Sequence, residues 1–120
     1  MRVWVDGEPI AVRAKKKPSR VAWQKAVADR CRKRLPLPDG TYRVRLDFVL
    51  SPASYQRNNL QSPEGKDLDN LVSPVFDALK ETVLDFPGGD SKIVELFATK
   101  TPGDDPGVWI TIVPRKAGSP

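Results

Sequence analysis

Residues 42–50 read YRVRLDFVL, with Tyr42, Val44, Leu46, Phe48 and Leu50 alternating with Arg43, Arg45 and Asp47. Successive side chains of a strand point to opposite faces, so this segment predicts a strand with one buried face and one wet, mostly basic face. Such a strand needs neighbours in a sheet and a layer packed over its apolar side. Upstream, Trp23, Val27, Cys31 and Leu35 recur every fourth residue and give a helix one apolar face. Pro18-Ser19 opens that helix with Ser19 as N-cap, and Pro36 ends it. Arg30, Arg32, Lys33 and Arg34 crowd its last turns, where cations complement the helix dipole. Further back, Arg2–Asp6 and Pro9–Arg13 flank the turn residues Asp6-Gly7 and predict a hairpin, followed by a basic loop, Ala14–Arg20.

Downstream, residues 51–66 (SPASYQRNNLQSPEGK) are polar, hold two prolines and read as a long loop. A second helix is expected from Asn70 to Thr82, with Leu71, Val72, Val75, Phe76 and Leu79 as its stripe and Pro74 in its first turns. Ile93–Lys100 and Val108–Val113 read as strands joined by the turn-rich TPGDDPG. The predicted order is β-β-α-β-α-β-β, an α+β fold in which two main helices pack on a mixed sheet. Residues 1–115 read as one domain and 116–120 as a flexible tail.

What the composition omits narrows the chemistry. The 120 residues include no histidine, which removes Ser-His-Asp and Cys-His machinery and every histidine-containing zinc site. A single cysteine, Cys31, excludes an internal disulfide or a thiolate cluster. Hydrolytic chemistry would have to rest on carboxylates, lysine, hydroxyls or a hard metal ion. No apolar run approaches the roughly 18 residues of a membrane helix, and the N-terminus lacks a signal-peptide pattern. A cytoplasmic protein with no membrane partner is expected.

The net charge of +5 hides an asymmetry. Ala11–Arg45 holds twelve Lys/Arg and two Asp/Glu, while Glu64–Glu95 holds eight Asp/Glu and three Lys. A basic half beside an acidic segment suits a protein that grips a polyanion and holds a divalent cation against it. Lys15, Lys16, Lys17, Arg20, Arg43 and Arg45 are the candidates for phosphate contact, with Tyr55 and Arg57 in the long loop near the bases. The plain alternative for these charges is a solvated surface.

The acidic segment centres on residues 65–71, GKDLDNL. In extended geometry Asp67 and Asp69 project to the same side. Carboxylates held side by side repel unless a cation sits between them, and Mg²⁺ takes one or two carboxylates plus waters and phosphates. Asp69 or Asn70 could instead cap the following helix, which leaves Asp67 unexplained. Asp90, after Gly88-Gly89, offers a third carboxylate, or an ordinary turn aspartate. Asp77 shares a helical face with Asp69 and Ser73 and could support the site with Asn70.

Asp67–Leu79 (DLDNLVSPVFDAL), followed by Asp90–Glu95 (DSKIVE) and Lys100, resembles the RusA family of Holliday-junction resolvases. The family pattern is D-x-D-N-L-x-K, then a DAL helix end, then W-x-D-D-x-Q-V at a strand start. The resemblance covers about Lys66–Lys100. It implies a homodimeric, Mg²⁺-dependent endonuclease, with Mn²⁺ able to substitute, that resolves four-way DNA junctions by paired nicks. Asp67, Asp69 and Asp90 then fall on three catalytic, metal-binding aspartates. The chain departs from the pattern where the family lysine is Ser73, the first Asp of the D-D pair is Gly89, and the glutamine is Lys92. Lys66 and Lys100 are the candidates to supply the missing cation. The alternative is a protein that binds branched DNA and cuts it weakly or not at all, because Ser73 stands in place of lysine.

Overall fold

The alternation along Tyr42–Leu50 is realised as β2, whose even-numbered residues are all buried while Arg43 and Arg45 stay exposed. The computed structural model describes residues 1–11, 17–34, 37–59 and 68–115. The other elements are β1 (Arg2–Asp6), α1 (Lys17–Arg32), α2 (Pro52–Asn59), α3 (Leu68–Lys80), a 3-10 turn (Gly89–Lys92), β3 (Ile93–Pro102) and β4 (Gly107–Pro114). The strands form one mixed sheet in the order β1-β4-β2-β3, antiparallel except for the parallel pair β2–β3. A parallel pair needs a long crossover, and this one carries α2 and α3. This is the expected α+β architecture of helices on a mixed sheet.

One core lies between the sheet and the helices. Trp23, Val27 and Cys31 of α1 and Leu71, Val75 and Leu79 of α3 pack with Val44, Leu46, Phe48 and Ile110 of the sheet. Burial of each large apolar side chain contributes about 1.5–3 kcal/mol. The other face of the sheet has no helix layer among the described residues. It presents Arg2 and Trp4, then Trp109 and Thr111, then Arg43, Arg45 and Asp47, then Glu95, Phe97 and Thr99.

Four local expectations need correction. The N-terminal hairpin is absent: β1 pairs with β4, from Arg2↔Thr111 to Asp6↔Gly107. Gly7, at φ 125°, turns the chain away, and its N–H goes to Pro106 O at 3.0 Å. Pro9 has no N–H to give a ladder, and no strand forms over residues 8–11. Val12 and Arg13 lie outside the described residues. Gly107 lets β1 seat closely, since a Cβ there would stand 2.4 Å from Val5 O.

Second, the start of the long polar segment is a helix, α2. Pro52 occupies its first position, where the missing N–H would be unpaired anyway. Ser51 caps it, its Oγ accepting from Ser54 N at 3.4 Å and donating to Glu8 Oε1 at 2.5 Å. Third, α1 begins at Lys17, so Ser19 is inside the first turn and is not the cap. Fourth, α3 begins at Leu68, which makes Pro74 its seventh residue. There it removes the bond to the Asn70 carbonyl, yet Pro74 is buried and the helix continues past it.

Candidate functional site

Asp69 stands in the first turn of α3 with an exposed side chain. The helical start means that the extended geometry assumed for Asp67–Asp69 does not hold at Leu68 and Asp69. Lys66 and Asp67 lie outside the described residues. Asn70 is buried at the same turn. Asp69, Ser73 and Asp77 recur at every fourth residue and line one wall of a groove of about 430 Å³, with Val72 and Phe76 beside them. Leu96 and Ala98 of β3 form the opposite wall. Asp77 is paired with Lys80 at 3.2 Å.

Asp90 is carried by the 3-10 turn. That turn packs on the far end of α3: a Cβ at Gly89 would lie 3.3 Å from Lys80 Cγ, and Lys80 is the last residue of the helix. Eleven residues separate Lys80 from Asp69, about 16 Å along the axis at 1.5 Å per residue. One chain therefore holds Asp69 and the turn of Asp90 at opposite ends of α3. No group of three or more His, Cys, Asp or Glu placed to hold a metal occurs among the described residues. Lys100 is on the helix-side face of β3, in register with Phe48 and two residues beyond the groove-lining Ala98.

The donor set fits a hard cation. Asp69 offers carboxylate oxygens to solvent, there is no imidazole in the chain, and the one thiol, Cys31, is buried in the core. Burial pushes that thiol up to about 11, against the lowering effect of Arg30, Arg34 and a hydrogen bond with Thr82. Carboxylate oxygens without imidazole or an accessible thiol suit a hard divalent cation better than zinc.

The candidate phosphate-binding cations do not form one surface. Arg20 is on α1, in the helix layer, whereas Arg43 and Arg45 project from the open face of the sheet. Arg43 Nε is 2.6 Å from Glu95, and Arg45 Nε is 2.9 Å from Asp47. Hydrogen bonding to Arg43 holds Glu95 below the ordinary glutamate range, against an opposing desolvation effect and with the charges of Arg43 and Arg115 adding to it. Lys15 and Lys16 lie outside the described residues, as do the side chains of Lys17, Arg57 and Asp90. Tyr55 is half-buried on α2 against the core, away from a purely solvent-facing role.

Sequence reasoning missed the order on the open face. Arg2 sits over the Trp109 ring at 4.0 Å and Arg45 over Phe97 at 5.1 Å, and Trp4 and Trp109 are 5.3 Å apart. The cross-strand register that stacks them is set by β4 lying between β1 and β2, which no local pattern encodes. A model of the endodeoxyribonuclease RusA family matches residues 7–113. No curated protein shows significant similarity to the chain.

Proposed function

The chain belongs to the RusA family of endodeoxyribonucleases, and from this we propose that it resolves four-way DNA junctions by paired nicks, using Mg²⁺. The observation that carries the reading is the family match over residues 7–113, which spans both Asp69 at the start of α3 and the turn of Asp90. Asp67, Asp69 and Asp90 would hold the cation. When bound, Mg²⁺ lowers the pKa of a coordinated water and offsets charge on the leaving 3′-oxygen. With no histidine in the chain, the proton of the attacking water passes to a carboxylate or to bulk solvent. Lys66 and Lys100 supply positive charge toward the phosphate, and Asp77, which lines the groove and pairs with Lys80, supports the site with Asn70. Lys15, Lys16, Lys17, Arg20, Arg43, Arg45 and Arg57 position DNA by charge, not sequence.

The reading includes a homodimer, because two identical sites suit a junction that is itself nearly two-fold. The separation of Asp69 from the Asp90 turn along α3 gives the second copy a further role. Asp69 of one chain and Asp90 of the other can share an ion if the α3 helices of the two chains run antiparallel across the two-fold.

A second reading is favoured by Ser73. It lines the groove one helical turn from Asp69, where the family pattern has a lysine, so no positive charge stands between the carboxylates of Asp69 and Asp77 on that wall. That reading makes the protein a binder of branched DNA. A mobile four-way junction labelled on each strand in turn, incubated in Mg²⁺ with the wild type or Asp69→Asn, separates the two. Symmetric paired nicks by the wild type alone support the resolvase. Binding without nicks in Mg²⁺ and Mn²⁺ supports the binder, and Ser73→Lys would then be expected to restore cutting.

A further inference from the structure

The two margins of the sheet are finished differently. β1 has five residues, and arginines of α1 and of the turn after it take up two of its outward carbonyls. Arg30 Nε donates to Trp4 O at 3.1 Å, and Arg34 donates to Arg2 O at 3.0 Å. β3 has ten residues and, among the described residues, β2 as its one strand neighbour. Every second N–H and C=O along its outer side therefore lacks a ladder partner.

The side chains of β3 do not protect that margin. Val94 is 48% exposed and Leu96 44% exposed, and Phe97, on the opposite face from Leu96, is 59% exposed. Edge strands that face water are usually shielded by lysine, proline or an unpaired charge. Here Lys100 and Pro102 stand at the far end, and the carboxylate in the first half, Glu95, is taken by Arg43 at 2.6 Å and Arg115 at 3.8 Å. Apolar side chains on both faces mark a strand that is interior to a sheet.

We propose that the first half of β3, Ile93–Ala98, is the seam of the homodimer, pairing antiparallel with the same segment of a second copy. The seam joins two four-stranded sheets into one. The inference rests on the dimer of the reading above and names its surface. A second copy fits better than a single added strand because the apolar surface continues from Leu96 and Ala98 across the groove to Val72 and Phe76 of α3. A lone strand would satisfy the backbone and leave the groove open. A second copy brings its own α3 to the same gap. An antiparallel pair is also related to itself by a two-fold axis, the symmetry of an isologous dimer. A nucleic acid does not suit this margin, whose exposed side chains, Val94, Leu96 and Phe97, are apolar.

Single cysteines test the seam. Cys31 is the chain's one cysteine and is buried, so introduced thiols report alone. Val94→Cys, Leu96→Cys and Phe97→Cys would be oxidised in the full-length protein beside Val21→Cys, an exposed position on α1. Covalent dimers are expected at one or more of the β3 positions and not at Val21. Light scattering should give the wild type twice its 13.3 kDa chain mass and Leu96→Lys the single-chain mass, with an unchanged circular dichroism spectrum. A wild type that is monomeric at about 100 µM overturns the seam. So does a dimer that persists in Leu96→Lys and forms no β3 cross-links. Junction nicking by the same samples keeps the two ideas apart. A dimeric wild type that nicks without β3 cross-links loses the seam and keeps the nuclease, and a β3-linked dimer that never nicks does the reverse.

Discussion

Trp23 is 4% exposed, yet its indole Nε1 has no hydrogen-bond partner among the described residues. A buried donor left unpaired costs about 1–3 kcal/mol, which offsets much of what the large ring contributes. Trp23→Phe should therefore change the urea midpoint little, by less than about 1 kcal/mol, whereas Trp23→Ala should cost about 3–5 kcal/mol. Asp47 shows the opposite case. Partial burial disfavours its charge, but hydrogen bonds from Arg45 and Thr99 at 2.9 and 2.7 Å, with the charges of Arg45 and Arg2, hold its pKa below the ordinary aspartate range. A depressed folded-state pKa adds stability above the unfolded value of about 4, and that stability is lost as pH falls through the folded one. Thermal melts of Asp47→Asn should be less stable than wild type at pH 7, with the gap closing below about pH 4. Spacing alone put Asp69, Ser73 and Asp77 on one helical face, and that face lines the groove. The position of Asp90 relative to Asp69 was not legible, because it depends on how the chain returns after α3.

At the scale of elements, period-two and period-four patterns located β2, α1, α3 and β4, since each buries one face in a single core, whereas β3, with no fully buried residue, was legible from the turns that flank it. The failures share a cause. Turn and loop signals were read locally, while partners distant in sequence decided the outcome. Asp6-Gly7 looked like a hairpin turn because Gly7 does turn the chain, but β4, more than a hundred residues on, supplies the ladder for β1. Pro52 looked like a loop residue because proline breaks helices, whereas at the first position it starts one. Ser51 ties that start to Glu8, 43 positions away. Ser51→Ala should cost about 1 kcal/mol, read as a lower denaturation midpoint, with faster amide exchange confined to residues 53–56.

The whole molecule raises the matter of how Asp69 and the turn of Asp90, at the two ends of α3, would serve the one reaction proposed for them. If each ion is held between chains, a mixture of Asp69→Asn and Asp90→Asn proteins forms heterodimers with one fully intact site and one doubly altered site. Such mixtures should recover nicking of a single junction strand, to about a quarter of the wild-type cutting events at equal mixing, though neither variant cuts alone. Sites confined to single chains would give no recovery at any mixing ratio.

The arginines that occupy the carbonyls of β1 have a consequence for assembly. In polymer chemistry a monomer with two reactive ends grows into a chain, and one with a single reactive end stops at the pair. With Arg30 and Arg34 acting as terminators on one margin and β3 open on the other, this sheet is monofunctional. Concentrating the protein should fill the dimer without seeding fibres. An Arg30→Ala, Arg34→Ala double variant would be the one to watch for filaments.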